Sequence, residues 1–184
     1  MTDDERCEEY RRFRRIDAAF RAGDLAELRA ALDDPEDFPN NPGPLAIGRC
    51  LEYAIYHSPV PFIRELLEAG ADPNPVDHAG FPPIIAALSC LTPVPGSPGR
   101  PDVHEIVELL LAFGSDPNQR GHNDYTPLHW AAGTGDVKSI RILLAAGANA
   151  ALRTRIDELE TPLEVASKAG HDEIVKILES AGRS

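Results

Sequence analysis

Two segments of this chain repeat one another. TPLHWAAGTGDVKSIRILLAAGAN begins at Thr126, and TPLEVASKAGHDEIVKILESAG begins at Thr161, 35 residues later. Upstream, LLEAGADPN and LLAFGSDPN share the glycine that closes LLAAGAN, so Gly70, Gly114 and Gly147 stand 44 and 33 residues apart. A chain with this period builds supersecondary units that cannot bury both apolar faces alone and therefore stack.

The residues of one unit explain its shape. Thr126 precedes a proline, which pushes it out of the helical region and leaves its hydroxyl placed to cap a helix. Pro127 suits the first turn, where no intrahelical donor is lost. Leu128 enters the core, and the small Ala131 and Ala132 let neighbouring helices approach. Gly135 ends the first helix. Val137, Ile140, Leu143 and Leu144 then recur on one helical face, and Gly147 supplies a left-handed C-cap. Each unit is a helix–turn–helix.

TPLHWAA at 126–132 matches the T-P-L-H-x-A signature in full, and Thr161-Pro162-Leu163 repeats it with Glu164 in place of His. With the period, this resembles the ankyrin repeat family. The resemblance implies an all-α fold with short β-hairpin-like turns, a solenoid of about five helix–turn–helix units whose first and last act as caps. A single domain over 1–184 is expected, with N-terminal capping helices in 1–34, a turn-rich connector at 35–43, and repeats at 44–74, 75–118 and 119–151. A capping repeat follows at 152–184. In the first unit, residues 16–33, Gly23 aligns with Gly135. The second has Arg49-Cys50 where Thr-Pro is expected, so its first helix is weakly capped. The third has a turn, DHAGFPP, at 77–83 and an insertion, LTPVPGSPGRP, at 91–101 between its helices. The insertion reads as a tolerated loop, since added loop length costs little closure entropy. The alternative is a contact element.

The charge balance limits the function classes. With 18 Lys and Arg against 30 Asp and Glu, the net charge is −12. Phosphate-backbone binding needs clustered positive charge, so nucleic acid is not expected. A basic protein partner fits, as does simple solubility. RRFRR at 11–15 is the one strong basic cluster and reads as a charged helix face paired with Glu8 and Glu9; a polyanion contact is the alternative. Cys7, Cys50 and Cys90 form no CxxC pair and suggest neither a disulfide framework nor zinc. MTDDERCEEY lacks the apolar core of a signal peptide, and no apolar run approaches the ~20 residues of a membrane span. A cytoplasmic protein, monomeric, without metal or cofactor, is expected.

His129, with a hydroxyl and acids nearby, is the one candidate for catalysis. In the resembled family this His belongs to a hydrogen-bond network with the Thr-Pro turn and neighbouring backbone. Glu164 and Ile85 occupy the equivalent sites, so no row of histidines forms. Trp130 reads as packing, and Asp124 stands where the family has a turn glycine, a place Asp tolerates. No GxSxG, Walker A or GxGxxG pattern occurs, and no catalytic residue is assigned. The motif residues Thr126, Pro127, Leu128, His129, Gly135, Gly147, Thr161 and Pro162 are structural.

The resemblance implies a non-enzymatic protein-binding module that uses its concave side, made by turns and first helices. An alternative is a dedicated inhibitor or immunity-type protein that neutralises a basic enzyme or toxin. Positions free to meet a partner are His78 and Phe81 in the third turn, and His122, Asn123 and Tyr125 in the fourth. Glu158 and Glu160 lie in the fifth turn, which is two residues longer. Tyr56, His57, Thr134 and Lys168 close the first helices. Phe81 and Tyr125, read as exposed aromatics, are the expected anchors.

Overall fold

The computed structural model describes residues 3–41, 48–75, 81–91, 99–121, 124–156 and 159–182. Among these the chain forms ten helices and no strand, so the fold is an all-α repeat solenoid. It divides into two compact units, Met1–Asp72 and Pro73–Ser184.

The first unit contains α1 (Asp3–Ala22), α2 (Leu25–Ala31), α3 (Cys50–His57) and α4 (Val60–Glu68). The helices of each consecutive pair pack together, α1 lies against α3, and α2 against α4, so the unit has two helical layers. Phe20 is fully buried between them, with the Tyr53 ring at 4.8 Å and the Phe62 ring edge-on at 5.9 Å. α4 shows why such a helix forms. Pro59 precedes it, Pro61 sits in its first turn, and Ile63, Leu66 and Leu67 recur on its buried face. Arg49 provides no side-chain cap for α3, in keeping with the missing Thr-Pro.

The arginine cluster on α1 is largely neutralised. Arg11 pairs with Glu8 at 2.9 Å. Arg12 reaches Asp33 at 2.6 Å and Arg15 reaches Glu27 at 2.5 Å. Two of these partners, Glu27 on α2 and Asp33 just after it, lie beyond α1, where Glu9 stood as an expected partner. The reason is the helix hairpin, which brings residues 12 to 21 positions away within reach.

The second unit contains α5 (Pro83–Ser89), α6 (Val103–Ala112), α7 (Pro127–Thr134), α8 (Val137–Ala145), α9 (Pro162–Ala169) and α10 (Asp172–Ala181). First helices α5, α7 and α9 pack side by side, and α6, α8 and α10 form the second layer. Ile84, Ile85, Leu88, Ile106, Leu110, Leu128, Ile140 and Leu143 are buried between the layers. Gly135 ends α7 at φ 79°, and a Cβ there would stand 2.8 Å from the His171 ring. The conformation favours glycine, and any larger residue would also displace the His171 ring. The insertion leaves α5 after Ser89 and re-enters at α6; its residues 92–98 lie outside the described residues. Its base is closed by the Arg100 N–H, which donates to the Cys90 carbonyl at 3.2 Å. The Arg100 guanidinium grips Asp102 through two bonds of 2.9 and 2.7 Å.

A side-chain bridge recurs in both units. Asn40 donates from Nδ2 to the Gly70 carbonyl at 2.9 Å, and its Oδ1 accepts the Asp72 N–H at 2.7 Å. Asn74 does the same with Gly114 and Asp116, at 2.8 and 2.6 Å. Asn118 does so with Gly147 and Asn149, at 3.3 and 2.8 Å. The last carbonyls of a helix lack intrahelical donors. Here one amide side chain from the preceding loop binds the carbonyl of the glycine just past each helix end and orients the chain that leaves it.

Candidate protein-binding surface

α7 and α9 start with the same device built from different residues. Thr126 and His129 form a capping box on α7. His129 Nδ1 accepts the Thr126 backbone N–H at 3.3 Å and the Thr126 hydroxyl at 2.8 Å. Its Nε2–H donates to the Glu160 carbonyl of the next repeat at 2.9 Å. That pattern selects the neutral tautomer protonated at Nε2. The residue is 0% exposed, and burial pushes its pKa down. A general base needs an accessible nitrogen near its proton donor, and both nitrogens here are spent on the scaffold. At α9, Glu164 replaces the imidazole. Its Oε2 accepts the Thr161 N–H at 2.7 Å and the Thr161 hydroxyl at 3.0 Å. An acceptor three residues after the cap is what the site requires, so His and Glu serve alike. Arg153 grips Glu164 at 2.9 and 3.1 Å. The Thr161 backbone N–H, with Arg153, holds the Glu164 carboxyl below its usual range.

Asp124 has a larger role than its turn position announces. Its φ is 61°, the left-handed conformation of the glycine it replaces. Its side chain is only 7% exposed, and accepts from Arg120 at 2.7 Å and from Arg155 at 3.0 and 2.7 Å. The Arg155 backbone N–H donates to it as well. Burial works against ionisation, yet the bonds from Arg155 and the nearby Arg120 charge outweigh it, and the carboxyl stays below its ordinary 3.8. Asp124 thus clamps the turn before α9 to the turn before α7.

A second acid also joins neighbouring repeats. Asp136 caps α8, accepting the Lys138 and Ser139 N–H groups at 3.2 Å. It meets His104 Nε2 of α6 at 3.0 Å. Serine, aspartate and histidine here do not form a catalytic relay. In such a relay the imidazole stands between carboxylate and hydroxyl; here the carboxylate stands in the middle, and Ser139 is 0% exposed.

The expected contact residues distribute unevenly. Tyr56, 37% exposed, and His57, also exposed, end α3 in the first unit. Phe81, Tyr125, Thr134, Glu160 and Lys168 belong to the second. Phe81 and Tyr125 are half-buried rather than exposed. Phe81 sits edge-on to Trp130 at 5.9 Å, and Tyr125 lies 5.5 Å from the His129 ring. Thr134 is exposed, with its hydroxyl donating back to the Trp130 carbonyl at 3.1 Å. Glu160, in the turn before α9, and Lys168, on α9, form an ion pair of 2.6 Å. His78, His122, Asn123 and Glu158 lie outside the described residues.

Among the described residues no group of three or more His, Cys, Asp or Glu side chains is arranged to hold a metal ion. Burial pushes the Cys50 thiol up to about 11, and the Cys90 thiol is raised for the same reason. No described helix is long and apolar enough to cross a membrane.

Residues 100–183 match the family model described as ankyrin repeats, three copies. Cyclin-dependent kinase 4 inhibitor B of Rattus norvegicus is 33% identical over 136 residues, which cover 71% of this chain and 91% of that protein. The inhibitor of the same name in Homo sapiens is 33% identical over 120 residues, 65% of this chain and 77% of the relative. A putative E3 ubiquitin-protein ligase of Arabidopsis thaliana, XBAT34, is 34% identical over 120 residues, 64% of this chain. The match spans only 29% of that ligase's length.

Proposed function

The chain belongs to the ankyrin-repeat family, and we propose that it is a non-enzymatic module that binds another protein through the turns and first helices of its repeats. The observation that carries this reading is the fate of His129. The one imidazole with a hydroxyl and acids close to it in sequence is buried, neutral and bonded at both nitrogens to the repeat scaffold. What is left for function is the surface: Tyr56 and His57 in one unit, and Phe81, Tyr125, Thr134, Glu160 and Lys168 in the other, with His78, His122, Asn123 and Glu158 nearby in sequence. The boundaries of five stacked units within one domain, and a monomeric, cytoplasmic state, belong to the same proposal. A net charge of −12 favours a basic partner, because complementary fields speed encounter. The test is a double substitution, Phe81→Ala with Tyr125→Ala, measured by titration against a partner purified from the native cell. Loss of binding with helical content retained is expected. Binding that survives both changes removes these two anchors.

A narrower reading is a dedicated inhibitor. It is favoured by one comparison: the match covers 91% of a relative whose name is that of a kinase inhibitor. Here the target would be a basic enzyme or toxin. Recovering such an enzyme with its activity blocked by stoichiometric addition of the chain supports inhibition. A bound partner that stays fully active contradicts it.

A further inference from the structure

We propose that the outward face of α1 is a docking stripe for an acidic helix of a partner protein. The stripe shares no residue with the surface proposed above and stands or falls separately from it.

α1 departs from the other repeats. It runs for 20 residues, whereas the first helices α3, α5, α7 and α9 run for 7 or 8. Gly23 follows it in a left-handed conformation, as Gly135 follows α7, so the added length lies at the N-terminal end. Ile16, Ala19 and Phe20 are buried on the side of α1 that packs on α2 and α3. Cys7, Tyr10, Arg11, Arg14, Ala18 and Arg21 are exposed. Their spacing of i, i+3, i+4, i+7, i+11 and i+14 makes one continuous stripe on the opposite side. At the rise of a helix the stripe is about 21 Å long.

The local charge of this stripe opposes that of the chain. From Cys7 to Arg21 it carries three arginines and no carboxylate, while the chain totals −12. Arg14 has no ion-pair partner among the described residues. Arg11 meets Glu8, but with side chains 71% and 75% exposed such a pair contributes little and exchanges readily. Asp17 borders the stripe; its carboxylate accepts the Tyr53 hydroxyl at 2.8 Å and the Arg21 Nε–H at 2.9 Å, and Arg21 stays exposed. Tyr10, 62% exposed, is the most exposed large apolar side chain among the described residues. Tyrosine and arginine are the types that dominate protein interfaces.

Spacing and sign select the occupant. Cys7, Arg14 and Arg21 stand seven apart, as do Arg11 and Ala18, which is the repeat of a helix–helix seam. The small Cys7 and Ala18 let a second helix approach on either side of Tyr10. Acidic residues at heptad spacing on that helix meet Arg14 and Arg21, and one apolar residue covers Tyr10. A second copy of this chain pairing through the same stripe would set arginine against arginine. A nucleic-acid duplex would meet the repulsion of the acidic chain.

The test uses the whole chain and synthetic helical peptides of about four turns. One carries Glu at heptad spacing with a Leu to meet Tyr10, one has the same composition shuffled, and one has Lys in place of Glu. The patterned acidic peptide should bind at least about tenfold more tightly than the shuffled one, and should weaken about tenfold or more on Arg14→Glu and on Tyr10→Ala. The Lys peptide should prefer Arg14→Glu to the wild type. Both variants should keep the wild-type melting temperature and helical content, because both side chains are exposed. The Phe81→Ala/Tyr125→Ala chain should bind the acidic peptide as the wild type does, so a failed stripe leaves the wider binding function standing. Equal binding of patterned and shuffled peptides, or an affinity that neither α1 substitution changes, overturns the stripe. A short DNA duplex that binds more tightly than the peptide, or self-association in sedimentation that Arg14→Glu abolishes, overturns the acidic helix as occupant.

Discussion

Replacing His129 separates a scaffold imidazole from a catalytic one. His129→Ala removes three hydrogen bonds, two from Thr126 and one to the Glu160 carbonyl. Each is worth roughly 1 kcal/mol net, with more lost where a buried partner is orphaned, so about 3–4 kcal/mol of stability should go. For a chain of this size that is a fall in melting temperature of roughly 6–16 °C. His129→Gln keeps an acceptor for the Thr126 N–H and should cost only about 1–2 kcal/mol. The pH dependence adds an independent check. Burial lowers the imidazole's pKa from 6.5, so the unfolded chain takes up a proton that the folded chain refuses. His129's contribution is therefore complete above about pH 6.5 and declines as pH falls from there toward the lowered folded value. Urea unfolding of wild type and His129→Gln at several pH values between about 7 and 5 measures this. Wild type should lose more stability than the variant over that range. Equal slopes, or an Ala variant that melts within about 1 °C of wild type, would refute the assigned bonding.

Two further substitutions probe the links between repeats. Asn118→Ala removes the bonds to the Gly147 carbonyl and the Asn149 N–H, and should cost about 1–3 kcal/mol in denaturant unfolding, with faster amide exchange at Asn149. Asp124→Asn keeps a residue that accepts the left-handed turn but removes the charge shared with Arg120 and Arg155, costing roughly 2–3 kcal/mol at neutral pH. Because the folded carboxyl lies below 3.8, that contribution is present above about pH 4 and is lost as pH falls through the folded value; the gap between wild type and variant should close there.

Local features were legible in the chain, and long-range ones mostly were not. Thr126, Pro127 and Gly135 act on neighbours within one helix, so their identities alone place the start and stop of α7. The exchange of His129 for Glu164 looked like the loss of a motif residue. It is a change of acceptor in one capping box, visible only once both side chains are seen to face the same Thr atoms. Asp124 has the type of a tolerant turn residue, and its partner Arg155, 31 residues away, leaves no local sign of the clamp. The Asn bridges did leave a signal: Pro-Asn recurs at 39–40, 73–74 and 117–118. Exposure failed for Phe81 and Tyr125 because Trp130 and His129 lie against them. The left-handed backbone of Leu159 leaves no mark in the sequence, since a bulky residue at positive φ cannot be foreseen from its type.

The most direct measurement pairs affinity with melting temperature for one purified partner, comparing His129→Gln with the Phe81→Ala/Tyr125→Ala chain. The His129 variant should melt lower yet bind with unchanged affinity wherever it is folded. The surface variant should lose binding at least about tenfold while remaining folded. A His129→Gln chain that keeps its melting temperature but loses its function would contradict a scaffold role for the imidazole and return it to chemistry.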